Sequence, residues 1–145
     1  VAQIERIVSA GIPVMGHIGF TPQSEHGLGG HVVQGRGKSA EKLREDALAV
    51  QKAGAFAVVI EMVPKAIAEK IAKELTIPVI GIGAGNGVDG QILVWTDMLG
   101  MSSGRIPKFV KTYANLRKTI GTAVNAWRKD VQEKAFPDSE HSFLD

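Results

Sequence analysis

Four short, largely apolar runs alternate along the chain with segments of helical periodicity, and this alternation constrains the fold more than any other feature. The runs are Ile12–Ile18, Ala55–Ile60, Ile77–Gly83 and Gln91–Trp95. A strand that is apolar at successive positions is buried on both faces, as in a parallel sheet covered by helices. The pattern therefore predicts an α/β fold with four parallel strands.

Helices are predicted where apolar residues recur three or four positions apart. The predicted helical segments are residues 2–10, the segment from Ser39 to the residue before Gly54, the segment from Pro64 to Leu75, and residues 108–134. Ser39 is interpreted as an N-cap, and Pro64 suits the first turn of a helix. The tail from Phe136 to Asp145 is polar and is expected to be irregular.

The composition excludes several classes of protein. With 44% hydrophobic and 22% charged residues, the chain is neither disordered nor collagen-like. No apolar run approaches the ~20 residues that cross a bilayer, and a net charge of +2 gives no reason to expect nucleic acid or a membrane as partner. Because Cys is absent, disulfides and thiolate metal sites are excluded, and a reducing, cytoplasmic location is expected.

The length leaves two architectures open. A chain of 145 residues is the size of one domain. Four parallel strands could form a small open sheet or half of a (β/α)8 barrel, which typically needs ~250 residues. Periodicity does not distinguish these. The chain begins with Val1 rather than Met, inside a helical pattern, so we expect residues to precede it in the natural protein.

Polar side chains that directly follow the strands are the candidates for chemistry, because ligands bind at the carboxyl ends of parallel strands. Glu61 follows six apolar residues, so we expect a dry environment that raises the pKa of its carboxyl and suits a general base. The alternative is a structural ion pair with Lys or Arg. His17 ends the first run and could donate a hydrogen bond to a substrate, the alternative being a buried histidine bonded to backbone.

The turn Gly81–Gly90 contains the pattern G-x-G-x-x-G at Gly85, Gly87 and Gly90. This pattern binds a dinucleotide only between a strand and the start of a helix, whereas here it precedes an apolar run. A tight turn that approaches a ligand is therefore favoured, and a small phosphate- or dinucleotide-binding domain is the weaker alternative.

Other polar and aromatic residues are given structural roles. Asp97 could be a second carboxylate at the strand ends, but a place in a turn or short helix is favoured. The remaining histidines show no metal-ligand spacing and are expected to be solvated: His26, His31 and His141. Tyr113 and Trp127 are expected to make core or subunit contacts rather than a ligand cage.

Six motifs, in this order, resemble the ketopantoate hydroxymethyltransferase family. They are PVMGHIGFTPQS (Pro13–Ser24), GGHVVQGRG (Gly29–Gly37), AGAFAVVIEMVP (Ala53–Pro64), IPVIGIGAGNGVDGQILVWTDMLG (Ile77–Gly100), PKFVKTYANL (Pro107–Leu116) and FPDSEHSF (Phe136–Phe143). The resemblance covers essentially the whole chain. It implies that residues 1–145 are a single domain, the C-terminal half of a (β/α)8 TIM barrel with strands five to eight, a C-terminal helix and a tail.

The resemblance also implies an activity. The family transfers a hydroxymethyl group from 5,10-methylenetetrahydrofolate to 3-methyl-2-oxobutanoate, which gives 2-dehydropantoate in pantothenate and coenzyme A synthesis. By resemblance, Glu61 corresponds to the proton acceptor and His17 to the active-site histidine of the motif G-H-[IL]-G-x-T-P-Q. The enolate formed at C3 is then expected to attack a methylene iminium derived from the folate.

The rest of the family's site is not matched here. A divalent metal, usually Mg²⁺, chelates the keto acid, but the family's metal-binding carboxylates and substrate-binding lysine lie on strands two to four. We therefore expect no metal ligand in this chain, and the chain alone is expected to be inactive. A catalytically incompetent fragment of the enzyme is the alternative. A large homo-oligomer, a ring of dimers, is expected by resemblance.

Overall fold

A computed structural model describes residues 1–143 of the chain. Within this range the helices are α1 (Ala2–Ser9), α2 (Ser39–Lys52), α3 (Lys65–Glu74), α4 (Trp95–Met98) and α5 (Leu116–Gln132). The strands in the same range are β1 (Met15–Gly19), β2 (Ala57–Glu61), β3 (Val79–Ile82) and β4 (Gly90–Gln91). The predicted α/β class is confirmed. Across these residues, none of the helices has both the length and the apolarity needed to cross a membrane.

The strands of the described residues form one parallel sheet in the order β1-β2-β3-β4. The register places His17 opposite Val59 and Gly19 opposite Glu61. Val59 lies in turn opposite Ile80 of β3. Because alternate residues of a strand share a face, His17 and Glu61 lie on the same face of the sheet.

The hydrophobic core lies on the opposite face. Its strand residues are Ile18, Val58, Ile60 and Val79, and its helix residues include Leu43, Ala47 and Val50 from α2 and Ala68 and Ile71 from α3. The apolar stripes predicted for these two helices therefore pack as expected. A β-carbon at Gly16 would overlap the side chain of Val50, so glycine is what allows α2 to lie close to β1.

The sheet has a fourth strand, as predicted, but the bounds predicted for it, Gln91–Trp95, are wrong. β4 is only two residues long, and Trp95 begins α4. β4 pairs with Ile80 and Gly81 of β3, and β3 itself ends one residue later, so the ladder runs out of partners. The apolar run beyond this point is not buried, since the exposed fraction is 48% at Ile92 and 59% at Trp95.

Two helices begin differently from the prediction. The last helix begins at Leu116 rather than within residues 108–115, because the side chain of Asn115 caps its first turn. Ser39 is the first residue of α2 rather than its N-cap, and its hydroxyl donates to the carbonyl of Arg36. In both cases the apolar periodicity is right, but Ser39 is not the N-cap that the sequence predicts.

The described residues divide into two compact units after Ile92. The first contains α1 to α3 and the sheet, and the second contains α4 and α5. The expectation that residues 1–145 behave as one domain stays a prediction. In the tail, the described part after α5 is irregular as predicted, and Leu144 and Asp145 lie outside the described residues.

Within the second unit, α5 carries an apolar stripe that is about half exposed. The stripe consists of Ile120, Val124, Trp127 and Val131, whose exposed fractions run from 41% to 55%. Tyr113 precedes the helix and is also exposed. Core packing of these two aromatic residues is therefore wrong, and the subunit contact that was the other expectation for them stays a prediction.

Candidate active site

The structure brings His17 and Glu61 together on one face of β1 and β2. Glu61 is the last residue of β2, as predicted, whereas His17 is the third of the five residues of β1 and does not end its strand. Nε2 of His17 lies 3.1 Å from Oε2 of Glu61. The exposed fraction of the side chain is 32% for the histidine and only 14% for the carboxylate. The imidazole is thus reachable from solvent, whereas the carboxylate lies deeper. Two residues chosen separately from the sequence form one pair.

This pairing differs from both structural alternatives. Within the described part of the chain, the ion-pair partner of Glu61 is His17 and not a Lys or Arg. His17 in turn faces a carboxylate and is one-third exposed, so it is not a buried histidine bonded to backbone. A half-open pair of titratable side chains is an arrangement that suits proton transfer.

The pKa of the Glu61 carboxyl is raised above its ordinary value. Burial is the largest cause, because a charged carboxylate loses hydration in a partly dry environment. The imidazoles of His17 and His31 act in the opposite direction and lower the pKa, since positive charge nearby favours the ionised form. The net result is a carboxylate that accepts a proton more readily than an exposed one.

Three backbone hydrogen bonds fix the chain at the end of β2. The N–H of Phe20 donates to the carbonyl of Glu61, the N–H of Met62 donates to that of Ile82, and the N–H of Gln34 donates to that of Met62, each at 2.9 Å. The partners come from the end of β1, the end of β3 and the long loop after β1. The backbone that carries the Glu61 side chain is therefore held from three directions.

The loop Gly19–Gly37 carries a histidine that the sequence analysis assigned to solvent. Nδ1 of His31 lies 2.9 Å from Oε1 of Glu25, and its ring centroid lies 5.0 Å from that of Phe20. His31 is largely exposed, as predicted, and in addition contacts Glu25 and Phe20. No local sequence signal marks this pairing, because it depends on the path of the loop.

The other two histidines lie away from the strand ends. His26 is exposed, as predicted. Nδ1 of His141 lies 2.6 Å from Oδ1 of Asp138 in the exposed tail, so this histidine also has a carboxylate partner. The contact between His141 and Asp138 is local. Among the described contacts, none joins His26 or His141 to the His17–Glu61 pair.

A cavity of about 460 Å³ opens beside His17. It is bordered by β1, α1, α2 and the loop, and its lining includes Thr21, Leu28, Gln34 and Leu43. This volume lies in the range of small-molecule sites. Glu61 is not among its lining residues, and Leu43 belongs to the core on the opposite face of the sheet, so the cavity reaches the histidine of the pair but not the carboxylate.

The glycine-rich turn Gly81–Gly90 leads into β4 and not into a helix. The side-chain amide of Gln91 donates to the carbonyl of Gly85 at 2.8 Å, and the carboxylate of Asp89 accepts from the N–H of Val79 at 2.8 Å. The turn is therefore stabilised by its own side chains, and its approach to a ligand stays a prediction. The strand–turn–helix context that a dinucleotide site requires is not the context found here.

Asp97 lies in α4 and accepts a hydrogen bond from the hydroxyl of Ser102. The short-helix alternative for this residue is thereby confirmed. Over residues 1–143, no group of three or more His, Asp and Glu side chains is arranged to hold a metal ion. The described residues therefore do not provide a set of ligands for the expected divalent metal.

Comparison with known proteins agrees with the resemblance seen in the motifs. Residues 1–139 match the profile of the family described as ketopantoate hydroxymethyltransferase. The chain belongs to this family. The motifs of ketopantoate hydroxymethyltransferase that contain His17 and Glu61 coincide with β1 and β2. The comparisons do not test the roles of these two residues, which stay predictions.

Three relatives, each named 3-methyl-2-oxobutanoate hydroxymethyltransferase, illustrate the similarity. The Leifsonia xyli subsp. xyli protein is 60% identical over 141 residues, which cover 97% of this chain and 51% of the relative. The relatives from Saccharopolyspora erythraea and Corynebacterium glutamicum are 59% and 56% identical over 140 residues, covering 97% of this chain and 48% and 52% of the relatives. The chain spans about half the length of the curated relatives it matches, and the matched part is their C-terminal half.

Proposed function

We propose that this ketopantoate hydroxymethyltransferase chain contributes the proton-transfer residues for hydroxymethyl transfer from 5,10-methylenetetrahydrofolate to 3-methyl-2-oxobutanoate. The product is 2-dehydropantoate, a step in pantothenate synthesis. The observation that carries the proposal is the His17–Glu61 pair, 3.1 Å apart on one face of two adjacent parallel strands, with Glu61 at the carboxyl end of its strand. The names of the curated relatives support the choice of substrate.

Glu61 is the base in this proposal. The C3–H bond of a 2-oxo acid is weakly acidic, because the negative charge left behind delocalises onto the keto oxygen. The Glu61 carboxylate takes the C3 proton, and the electron pair of that bond forms the C2–C3 double bond of the enolate. The raised pKa of this carboxyl favours the transfer. C3 of the enolate then forms the new bond to the methylene carbon of the folate-derived iminium, whose C=N π electrons pass to the folate nitrogen. Water supplies the hydroxyl oxygen as the bond from that carbon to nitrogen breaks, and tetrahydrofolate leaves.

His17 binds or polarises the substrate in this proposal. Its imidazole contacts the base at Nε2, and its 32% exposure leaves the ring accessible to a substrate oxygen. A neutral imidazole that donates a hydrogen bond to the keto oxygen or the carboxylate would orient C3 toward Glu61.

The chain supplies half of a closed barrel in this proposal, as strands five to eight. The strand order β1-β2-β3-β4 follows the order along the chain, and the helix-covered core lies on one face only. The match to about half of each relative is consistent with such a division. In a closed barrel, the face that carries His17 and Glu61 would be the inner face, and their end of the strands would be the active-site rim.

The remaining parts of the site would come from segments outside this chain. They include the ligands of Mg²⁺, for which the described residues offer no ligand set, and the family's substrate-binding lysine. The chain alone would then be inactive. A homo-oligomeric ring of dimers, a cytoplasmic location and small-molecule substrates, with neither nucleic acid nor membrane as partner, are proposed from the family resemblance.

The test uses a chimeric protein in which this chain replaces the matching half of the Leifsonia xyli relative, called the completed protein below. Exchange of the C3 proton of 3-methyl-2-oxobutanoate with D₂O is measured without folate, and 2-dehydropantoate formation is measured with it. We expect both reactions in the completed protein and neither with the chain alone. A folded completed protein that catalyses neither, while the unmodified relative catalyses both, would contradict the proposal.

A further inference from the structure

Met62, the residue after Glu61, holds a backbone conformation that side-chain-bearing residues rarely adopt. Its φ is 49°, in the left-handed region. Among the described residues, eleven glycines have positive φ, and Lys134 is the other non-glycine residue that does. A bulky residue in this region is strained, and such strain persists where neighbouring contacts enforce it, often at functional sites.

The contacts that enforce the conformation of Met62 involve the two peptide units on either side of its α-carbon. Both the N–H and the carbonyl of Met62 are hydrogen-bonded, to the end of β3 and to the loop after β1. The preceding carbonyl, that of Glu61, accepts from Phe20. A β-carbon at Gly19 would overlap this same carbonyl and would lie 2.9 Å from Cγ2 of Val63. The end of β1 therefore approaches the backbone of Glu61 as closely as glycine permits.

We propose that Met62 is a positioning residue, whose narrow left-handed backbone well holds the Glu61 carboxylate beside His17. This inference rests on the proposed function of Glu61 as the base. Glycine would reach the same φ without strain, but it would also open a wider range of conformations. The chain uses glycine at eleven other left-handed positions and a strained methionine directly after the candidate base. Compared with glycine, methionine at this position has a β-carbon, which restricts the range of backbone conformations.

A merely structural role for Met62 would act through its half-buried side chain. Two substitutions separate this from the backbone effect. Met62→Ala removes the side-chain contacts but keeps the β-carbon, and therefore keeps the narrow well. Met62→Gly removes both. Lys134→Gly is the matched control, because Lys134 has a φ of 58° just after α5 in the second unit.

Steady-state kinetics and melting temperatures are measured on these variants of the completed protein. We expect Met62→Gly to have a Tm at or above that of Met62→Ala, to lower kcat on the order of tenfold or more, and to leave KM for the keto acid unchanged. Met62→Ala should lower Tm while its kcat stays close to that of the wild type. Lys134→Gly should relieve strain of the same kind without a change in kcat.

Two results would overturn the inference: a wild-type kcat in Met62→Gly, or equal losses of kcat in Met62→Ala and Met62→Gly. A second measurement does not depend on turnover. In a ¹³C NMR titration, Met62→Gly should move the pKa of Glu61 down toward its ordinary value, because a mobile carboxylate reaches water. An unchanged pKa would contradict positioning. If the wild-type completed protein does not exchange the C3 proton, the proposed function fails, and the titration alone then decides the role of Met62.

Discussion

The carboxylate of Glu61 is partly buried and lies beside an imidazole. Replacing Glu61 with Gln removes the negative charge and the base but keeps the size and shape of the side chain. In the completed protein, Glu61→Gln should lower kcat by ~10²-fold or more, the usual scale for a lost general base. Exchange of the C3 proton with D₂O should fall with it. Keto-acid binding should persist, because the amide keeps the volume of the side chain and other segments are proposed to bind the substrate.

The control for this variant is Glu69→Gln on α3, an exposed carboxylate that lies 2.9 Å from Nζ of Lys73. It should leave exchange unchanged. Exchange and melting temperature are measured on the same samples. A purely structural Glu61 would give a lower Tm with nearly normal exchange per folded molecule, and that result would leave His17 as the next candidate.

The raised pKa of Glu61 also predicts a pH-dependent stability. Because the folded state holds this proton more tightly than the unfolded state, the stabilisation is complete below the ordinary carboxyl pKa and is lost as pH rises through the folded-state value. The variant Glu61→Gln has no carboxyl that titrates at this position, so its stability shows no such loss. The free energy of unfolding of the variant minus that of the wild type should therefore increase across this interval and then level off. Urea unfolding at a series of pH values measures it, and a difference independent of pH would contradict the raised pKa.

For single residues, the sequence identifies the candidate site residues, but it does not predict the contact between them. Glu61 is recognisable because it directly follows an apolar run, and His17 because it is the polar residue near the end of one. Their 3.1 Å contact depends on the register of β1 against β2, which no local pattern specifies. The left-handed backbone of Met62 has no signal either, since methionine is not a residue that marks such a turn.

Among the elements, the loop Gly19–Gly37 is the one expected to respond to substrate. It leaves the strand that carries His17 and returns past Met62, where Gln34 donates its hydrogen bond. In the completed protein, amide hydrogen exchange in this loop should slow when keto acid and Mg²⁺ bind, because a loop at the rim is well placed to cover the ligand. Hydrogen exchange followed by mass spectrometry measures this.

Helix α3 serves as the internal reference for that measurement of hydrogen exchange. Its amides belong to a hydrogen-bonded helix packed on the core through Ala68 and Ile71, so their exchange should be the same with and without ligand. Equal exchange in the loop under both conditions would indicate a purely structural connection.

Element boundaries show where periodicity stops being informative. It identifies β1 to β3 and the buried faces of α2 and α3, because continuous or spaced apolar residues are what a covered sheet requires. It fails at Gln91–Trp95, where an equally apolar run lacks a ladder partner beyond the end of β3. Apolar composition predicts burial only when the neighbouring element is long enough to pair with it.

For the molecule as a whole, unpaired surfaces predict association. The described sheet has open edges at β1 and β4, and the α5 stripe is half exposed. Open edges and apolar faces promote pairing with other chains. We expect this chain, expressed alone, to aggregate, and to form a defined complex when it is co-expressed with the other half of the Leifsonia xyli relative. Size-exclusion chromatography with light scattering measures both, and a monodisperse monomer with a cooperative melt would contradict the half-barrel proposal.

The register of the sheet has a consequence for the order in which the chain folds. Ile80 pairs with Gly90 across 10 residues, Val58 with Val79 across 21, and Met15 with Ala57 across 42. Loop-closure entropy grows with the logarithm of this separation, so the β1–β2 ladder costs about 1 kcal/mol more to close than the β3–β4 ladder. We therefore expect the sheet to assemble from its C-terminal side, with β1 docking last. His17 would meet Glu61 only in this final step, so pulsed hydrogen exchange during refolding should protect the amides of β3 before those of β1.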